Sequence, residues 1–327
     1  MKEFAFKVYV AWRDAKSRSQ PRLRWLPWVI STAAIGYVVW RLVSEDSISW
    51  TELWPPSGSS LLFLGITLLL LPLNWGLEAE KWRLLVLKWY PSISRKQALQ
   101  AVLCGLATGI FTPNRVGEYP GRIMTLPPGN RWEAATSMFF DRLIQMIITL
   151  WLGIAALLLV QAHLPEAWLS PVKAWLPCIM ALCVMVPIAA LIFLPRIASF
   201  VPGQTIGDRV RQAMVAVTPS LALTLLMLSC LRNAVFSLQY LLLLYAAGLS
   251  VHWQLAIPLI WVIFFAKSIV PYWTFTELGI RESIAIAVLS LVGVSAATAF
   301  SATFILYLIN LVIPALVGLR WVHRISW

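Results

Sequence analysis

Long apolar stretches alternate along this chain with short segments that carry charge. Six stretches are long enough to cross a membrane as helices, and they lie at about 26–43, 59–77, 132–160, 174–194, 219–247 and 296–319. A helix rises 1.5 Å per residue, so about 20 apolar residues cover the ~30 Å hydrocarbon core of a bilayer. The pattern therefore predicts an all-α polytopic membrane protein with about six full spans.

The charge of the connecting segments predicts the orientation of these spans. Residues 44–58 contain three acids and no base, whereas residues 81–96 contain five bases. Because Lys and Arg are enriched in cytoplasmic loops, both termini and residues 195–218 are expected in the cytoplasm. Residues 44–58 and 160–174 are then expected outside, and the protein is expected in the cell membrane.

The first 24 residues have apolar side chains at helical spacing and seven bases. This pattern is typical of a basic amphipathic helix that lies on the membrane surface and contacts anionic lipids. A helix that binds a protein partner is the alternative.

Two further stretches fit this topology only if each enters and leaves the membrane on the same side. They are residues 97–131, interrupted at Thr112–Arg122, and residues 254–293, interrupted at Pro271–Glu282. Pro and Gly are clustered at both interruptions, which favours broken, re-entrant hairpins over pairs of short full spans. A span, a broken hairpin and a second span, occurring twice from opposite sides, is the pattern of an inverted-topology repeat.

This interpretation divides the chain into five parts. They are a cytoplasmic basic segment, a first span with its outer loop, repeat 1, a linking span with a cytoplasmic loop, and repeat 2, at residues 1–24, 25–58, 59–160, 161–218 and 219–327.

Composition excludes several other classes of protein. Apolar residues make up 60% of the 327 residues, charged residues make up only 12%, and the mean hydropathy is +0.77. A soluble enzyme, a secreted disulfide scaffold and a disordered chain are therefore ruled out. The excess of 26 basic over 14 acidic residues reflects loop orientation and anionic lipid contact in a membrane protein, so no nucleic-acid partner is predicted. Four separated cysteines and three distant histidines predict no metal site and no cofactor.

Charged and amide side chains near the two interruptions form the candidate site. An ionisable group at the bilayer centre costs about 2.5 to 3.5 kcal/mol, so these groups should converge on one wet cavity near the midplane. Arginines beside broken helix ends suit a phosphate head group, and the glutamates would hold the arginines or carry protons. The candidate substrate-binding residues are Asn114, Arg115, Glu118, Arg122, Asp141, Arg142, Arg232, Glu277, Arg281 and Glu282.

Other interpretations of these charges remain open. Glu118 with Arg115 or Arg122, and Glu277 with Arg281, have the spacing of structural ion pairs on one helix face. Lys267 either joins the cluster or extends to the outer interface. A second group of four charged residues, at the inner end of the second span, is interpreted as a solvated helix end, with residues that flank the cytoplasmic mouth of the cavity as the alternative: Glu78, Glu80, Lys81 and Arg83.

Three motifs resemble the transmembrane region of lysylphosphatidylglycerol synthases, a family of flippase-type membrane proteins. They are Pro113–Glu118 with Arg122, Asp141-Arg142, and Leu278–Glu282. The likeness covers about residues 60–325. The chain departs from the family pattern at four positions, namely Asn114, Asp141, Gln145 and Glu277.

This resemblance implies a lipid translocator that moves a phospholipid or a lipid-linked molecule between leaflets. Family members that also carry a soluble aminoacyl-transfer domain are synthases, and this chain is expected to lack that domain and not to be an enzyme. Two alternatives remain, a membrane-embedded lipid-modifying transferase and an accessory subunit of an envelope lipid or glycan pathway. Because the pattern is altered at Asn114 and Glu277, the head-group preference is free to differ, and lysylphosphatidylglycerol is not carried over as the substrate.

Overall fold

The computed structural model describes residues 36–40, 43, 58–110, 112, 115–163, 178, 181–182, 185, 205–270 and 277–322. The regular structure in these ranges is helical. The first half contains α1 to α5, which are Gly58–Leu69, Leu71–Val86, Arg95–Gly109, Glu118–Ile123 and Arg131–Val160. The second half contains α6 to α11 and a π-helix between the last two, which are Thr205–Ala216, Pro219–Ala246, Trp253–Ile269, Glu277–Ser290, Ala296–Tyr307, Leu308–Val312 and Ile313–Val322.

Four helical runs are long and apolar enough to cross a membrane. They are Gly58–Val86, Arg131–His163, Pro219–Ala246 and Ala296–Val322. They correspond to four of the six predicted spans, so the all-α, multi-pass fold class is confirmed. The predicted spans at 26–43 and 174–194 fall largely outside the described residues, as does the basic segment 1–24.

The second predicted span differs from its prediction at its inner end. The helix was expected to end near residue 77, but α2 continues to Val86 after a one-residue interruption at Leu70. Pro72 has no backbone N–H to donate near this interruption, and the side chain of Gln239 donates to the carbonyl oxygen of Thr67 at 3.1 Å. Two charged residues of the longer helix, Glu78 and Lys81, lie buried in the interior of the protein.

Both interruptions predicted from the sequence are present as breaks between short helices. In the first hairpin, α3 has 15 residues and the returning α4 has six. In the second, α8 has 17 residues and α9 has 14. Each first arm is shorter than the ~20 residues needed to cross the hydrocarbon core. A capping box of Ser94 and Gln97 fixes the start of α3.

Glycines allow α3 and α4 of the first hairpin to touch. A Cβ atom at Gly121 would collide with the Thr108 hydroxyl and lie 2.8 Å from the Cα of Gly105. A Cβ at Gly105 would lie 2.6 Å from the Cγ of Arg122, and one at Gly109 would lie 2.5 Å from the Cγ of Glu118. Bare backbone at these positions is therefore what allows the charged side chains of α4 to lie buried against α3.

In each half of the chain, one helix packs on the first arm of the hairpin that belongs to the other half. Helix α5 of the first half packs on α8, the first arm of the second hairpin, and α11 of the second half packs on α3, the first arm of the first hairpin. A glycine lies at each contact, Gly153 on α5 and Gly318 on α11. Gly153 follows Arg131, the start of its helical run, by the same number of residues as Gly318 follows Ala296, the start of the other run. A Cβ at Gly153 would collide with Phe265, and one at Gly318 would collide with the Leu103 carbonyl. Reciprocal packing of this kind is expected of two repeats related by a two-fold axis.

The connections between helices lie at two opposite ends of the bundle. At one end, Arg209 of α6 donates to the Gly129 carbonyl at 2.8 Å, and Asn130 donates to the Trp89 carbonyl at 3.2 Å. These contacts join the segments before α3, before α5 and before α7, which the sequence assigns to one side of the membrane.

The opposite end joins a different set of connections. Ser60 at the start of α1 donates to the Ala246 carbonyl at 2.8 Å, and Thr298 at the start of α10 donates to the Ala247 carbonyl at 3.1 Å. This grouping agrees with the alternation of sides predicted from the sequence.

Labelling of introduced cysteines tests which end faces outward. We expect His163→Cys to react with an impermeant maleimide in right-side-out vesicles, and Arg211→Cys to react only after the membrane is permeabilised. Both residues are exposed in the structure, and the loops that contain them differ in basic charge. The four native cysteines would first be replaced by serine. Equal labelling of the two positions before permeabilisation would contradict the assigned orientation.

Candidate functional site

An open cavity of about 120 Å³ lies between the two halves of the chain. Both broken hairpins and all four long helical runs contribute to its wall, and the run Arg131–His163 contributes one residue, Arg142. The charged residues that line it are Glu78, Arg115, Glu118, Arg122, Arg142, Arg232, Lys267 and Arg281. Six of these eight side chains are cations, so the cavity is strongly basic.

Glu78 of α2 is the centre of the ion pairs in this cavity. Its Oε1 lies 2.7 Å from Arg122 Nη2 and 4.0 Å from Arg142 Nη2. Its Oε2 lies 3.1 Å from Lys81 Nζ and 3.4 Å from Arg232 Nε. The carboxylate is buried, and the four cations around it offset the cost of placing its charge inside the protein.

Two further carboxylates complete the network on the side of the first hairpin. Glu118 of α4 binds Arg142 and lies 3.5 Å from Arg122. Asp141 of α5 binds Lys81, with 2.8 Å between Oδ1 and Nζ. Through these contacts α2, α4 and α5 share one buried set of charges, and the six-residue helix α4 is held in place.

The second hairpin contributes charges with separate contacts. Arg281 of α9 donates to Glu282 at 2.6 Å, and its guanidinium lies 4.7 Å from the centre of the Tyr307 ring. This stacking over an aromatic ring holds the guanidinium toward the cavity. Arg281 and Lys267 line the same cavity as the first hairpin, although Glu282 pairs with Arg281 and not with the Glu78 network.

Three amide side chains connect the two halves of the chain beside the charged residues of the cavity. Asn74 Nδ2 donates to Asn310 Oδ1 at 2.6 Å and to Gln239 Oε1 at 3.3 Å. Asn310 lies in the π-helix Leu308–Val312, where the extra residue per turn redirects side chains; such segments are frequent at functional sites.

Arg115 has an unusual backbone conformation at the first break. Its φ angle is +54°, and no other described residue except glycine has a positive φ. This region of the Ramachandran map is unfavourable for residues with a Cβ, and such strain is found most often at functional sites. The strained turn places Arg115 in the lining of the cavity.

The predicted convergence of the two breaks is present in the structure. Of the ten candidate residues, six line the common cavity, and two more, Asp141 and Glu282, are ion-paired to Lys81 and Arg281 beside it. Asn114 lies outside the described residues, and so does the side chain of Glu277 at the start of α9. Whether these residues bind substrate stays a prediction.

The interpretation of the inner end of the second span as solvated is wrong for two residues. Glu78 and Lys81 are buried, whereas Glu80 and Arg83 are partly exposed and paired at 2.8 Å. The error follows from ending the span at residue 77. Together with Asn74 the two buried residues have the spacing of one helix face, and that spacing is the sequence signal that points to them.

Among the described residues, no group of three or more His, Cys, Asp or Glu side chains is arranged to hold a metal ion.

The fold and the site together define a class, that of multi-pass helical membrane proteins with two broken hairpins around a charged cavity. The chain belongs to the family described as the lysylphosphatidylglycerol synthase TM region, whose model matches residues 25–318. Membership indicates a membrane protein connected with lipids. Comparison with curated proteins and with solved structures finds no match.

Proposed function

We propose that this protein is a lipid translocator of the cell membrane, with both termini in the cytoplasm, that carries the head group of a phospholipid or a lipid-linked molecule between leaflets. The single observation that carries the proposal is the basic cavity shared by both broken hairpins. A cavity lined by six cations and two carboxylates is costly inside a bilayer, and an anionic head group would offset that cost. Guanidinium groups suit this purpose because they bind phosphate oxygens in pairs.

The exposed part of the cavity, which contains Arg142 and Arg232 and is called its mouth, favours a lipid as the carried molecule. Arg142 and Arg232 keep 34% and 24% of their side-chain surface exposed, so they are accessible while Glu78 behind them is buried. Apolar side chains on the same two helices are exposed beside them, with Met146 at 47% and Leu231 at 50%. A head group can bind the arginines while its acyl chains stay against these apolar surfaces in the bilayer.

Replacement of Arg232 tests the proposal in liposomes that contain the purified protein. We expect Arg232→Gln to slow the movement of a fluorescent phospholipid between leaflets about tenfold or more, because a charged hydrogen bond to the head group is lost. Arg232→Lys should restore only part of the rate. Glu78 keeps Lys81, Arg122 and Arg142 as partners in both variants, so folding should be preserved.

Arg211→Gln is the matched control, since Arg211 is 45% exposed and pairs with Asp208 away from the cavity. Its rate should equal that of the parent protein. The lipids should also be recovered chemically unchanged. A modified head group would indicate a transferase, and an absence of movement with the purified parent protein would indicate an accessory subunit; either result would overturn the proposal.

A further inference from the structure

We infer that the cavity has a second opening, between α2 and the π-helix, which forms when the side chain of Asn310 releases that of Asn74. Gln145 of α5 then binds Gln239 of α7, and the mouth closes. In this structure the mouth is open and the contact between Asn74 and Asn310 closes the second opening. The inference rests on the proposed function, since a translocator needs a route to each leaflet, and it names the residues that provide the second route.

The long helices of the two halves correspond at a constant separation along the chain. Asn74 and Gln239, which contact each other at 3.3 Å, are 165 positions apart. Gly153 and Gly318, which occupy equivalent places in the reciprocal packing, have the same separation of 165 positions. In two repeats related by a two-fold axis, equivalent residues meet only near that axis. The contact between Asn74 and Gln239 therefore marks the axis.

Residues of the long helices that are equivalent by this separation differ in exposure. Gln145 and Met146 of α5 line the mouth, and Met146 is 47% exposed. Their equivalents are Asn310 and Leu311, which line the wall of the cavity, and Leu311 is only 3% exposed. The same element of the repeat is thus open to the surroundings in the first half and closed in the second.

The hydrogen bonds of the amide side chains show the same difference between the halves. Asn74 Nδ2 donates to Asn310 Oδ1 at 2.6 Å. The equivalent bond would run from Gln239 to Gln145, but Gln239 Nε2 instead donates to the Thr67 carbonyl at 3.1 Å. Oε1 of Gln145 is buried and has no hydrogen-bond partner among the described residues. A buried acceptor without a partner is unfavourable, so Gln145 gains by binding Gln239.

Formation of this bond closes the mouth. Gln239 Nε2 releases the Thr67 carbonyl and donates to Gln145 Oε1, which draws α5 toward α7. Met146, on the same helix, then becomes buried, as its equivalent Leu311 is in this structure.

Release of the equivalent bond in the second half creates the second opening. Asn310 leaves Asn74, so the π-helix moves away from α2 and Leu311 becomes accessible. Asn74 then donates to the backbone carbonyl of Arg232, which is the equivalent of the Thr67 carbonyl. Two hydrogen bonds are lost and two are formed, so the two arrangements are close in free energy and both are populated.

The reactivity of two introduced cysteines measures the two openings. Leu311→Cys reports the second opening and Met146→Cys reports the mouth, in protein whose four native cysteines are replaced by serine. The purified full-length protein would be treated with N-ethylmaleimide in detergent without added lipid, and the modification would be followed by mass spectrometry. Met146→Cys should react rapidly, and Leu311→Cys slowly, because it is accessible only in the less populated arrangement.

Asn310→Leu and Gln145→Met should change the reactivity of Leu311→Cys in opposite directions. Asn310→Leu removes the bond that closes the second opening, so the reaction should become about fivefold faster or more. Gln145→Met removes the acceptor that the other arrangement needs, so the reaction should become slower by a similar factor. Met146→Cys should react at almost the parental rate in both variants. Equal rates of Leu311→Cys in all three proteins, or changes in the same direction, would overturn the inference.

Two controls separate this exchange of partners from a general loosening of the protein. Val288→Cys, at a buried position of α9 outside the cavity lining, should stay unreactive in both variants. A rise there equal to that of Leu311→Cys would show loosening and overturn the inference. Gln212→Leu, on the exposed surface of α6, should leave the rate of Leu311→Cys unchanged. Since Gln145 Oε1 has no partner to lose, Gln145→Met should fold normally and decides the question even where Asn310→Leu fails to fold.

The cysteine experiment separates this inference from the proposed function, because it needs no lipid. Opposite changes of Leu311→Cys reactivity, without movement of any lipid in liposomes, would support the second opening and overturn the proposed transport. Movement of lipid by a protein whose Leu311→Cys rate is the same in all backgrounds would overturn the second opening and leave transport standing.

Discussion

Glu78→Ala is expected to lower the free energy of unfolding by about 3 to 5 kcal/mol, the usual cost of removing one partner from a buried ion pair. The carboxylate contacts Lys81, Arg122, Arg142 and Arg232. Among the described residues, its removal leaves these cations with the carboxylates of Glu118 and Asp141, and two of the four, Lys81 and Arg122, are buried. The variant should therefore unfold at much lower denaturant concentration, which tryptophan fluorescence in mixed micelles measures.

Glu80→Ala is the control for this prediction. Glu80 lies two residues further along the same helix, but it is 25% exposed and pairs with Arg83 and Arg95 near the surface. Exposed ion pairs contribute less than about 1 kcal/mol, so this variant should be almost as stable as the parent. Similar losses in the two variants would show that Glu78 is not the centre of the network.

Gly121→Ala is expected to destabilise the protein by about 1 to 3 kcal/mol, the range found when a well-packed core is overfilled. The added methyl group would collide with the Thr108 hydroxyl and approach the Cα of Gly105, so α4 has to move away from α3. Because Glu118 and Arg122 lie on α4, the variant should also weaken lipid binding, which a titration of tryptophan fluorescence with a short-chain phospholipid measures.

Gly76→Ala is the matched change in a helix with open space. No atom lies within 4 Å of the position of its added Cβ, and alanine favours a helix over glycine by about 0.5 to 1 kcal/mol. This variant should be as stable as the parent or more stable. A loss in Gly76→Ala equal to that in Gly121→Ala would show that close approach of α3 and α4 is not the cause.

Four of the spans and both breaks could be predicted from local sequence alone. Apolar runs of about 20 residues or more and clusters of Pro and Gly are visible without knowledge of the partners of each residue. Convergence of Arg122 and Arg281 on one cavity could also be predicted, because buried charges need either partners or water.

The residues that complete the site depend on contacts between distant parts of the chain. Hydropathy alone places Glu78 at the end of a span, because three of the four cations that stabilise it come from α4, α5 and α7. Asn74 and Asn310 are 236 positions apart, and a single sequence does not reveal that they meet. The sequence shows that Gly105 and Gly109 are four residues apart, but it does not show that α4 packs on them.

The reciprocal packing of the two halves has a consequence for biogenesis. One side of helix α3 packs on α11, where Gly318 lies against Leu103. During synthesis from the N-terminus, α3 is therefore made long before its packing partner leaves the ribosome. The packing of the first half therefore stays incomplete in the membrane until α11 has been synthesised. We expect insertion factors and quality-control proteases to act on the first half during this period.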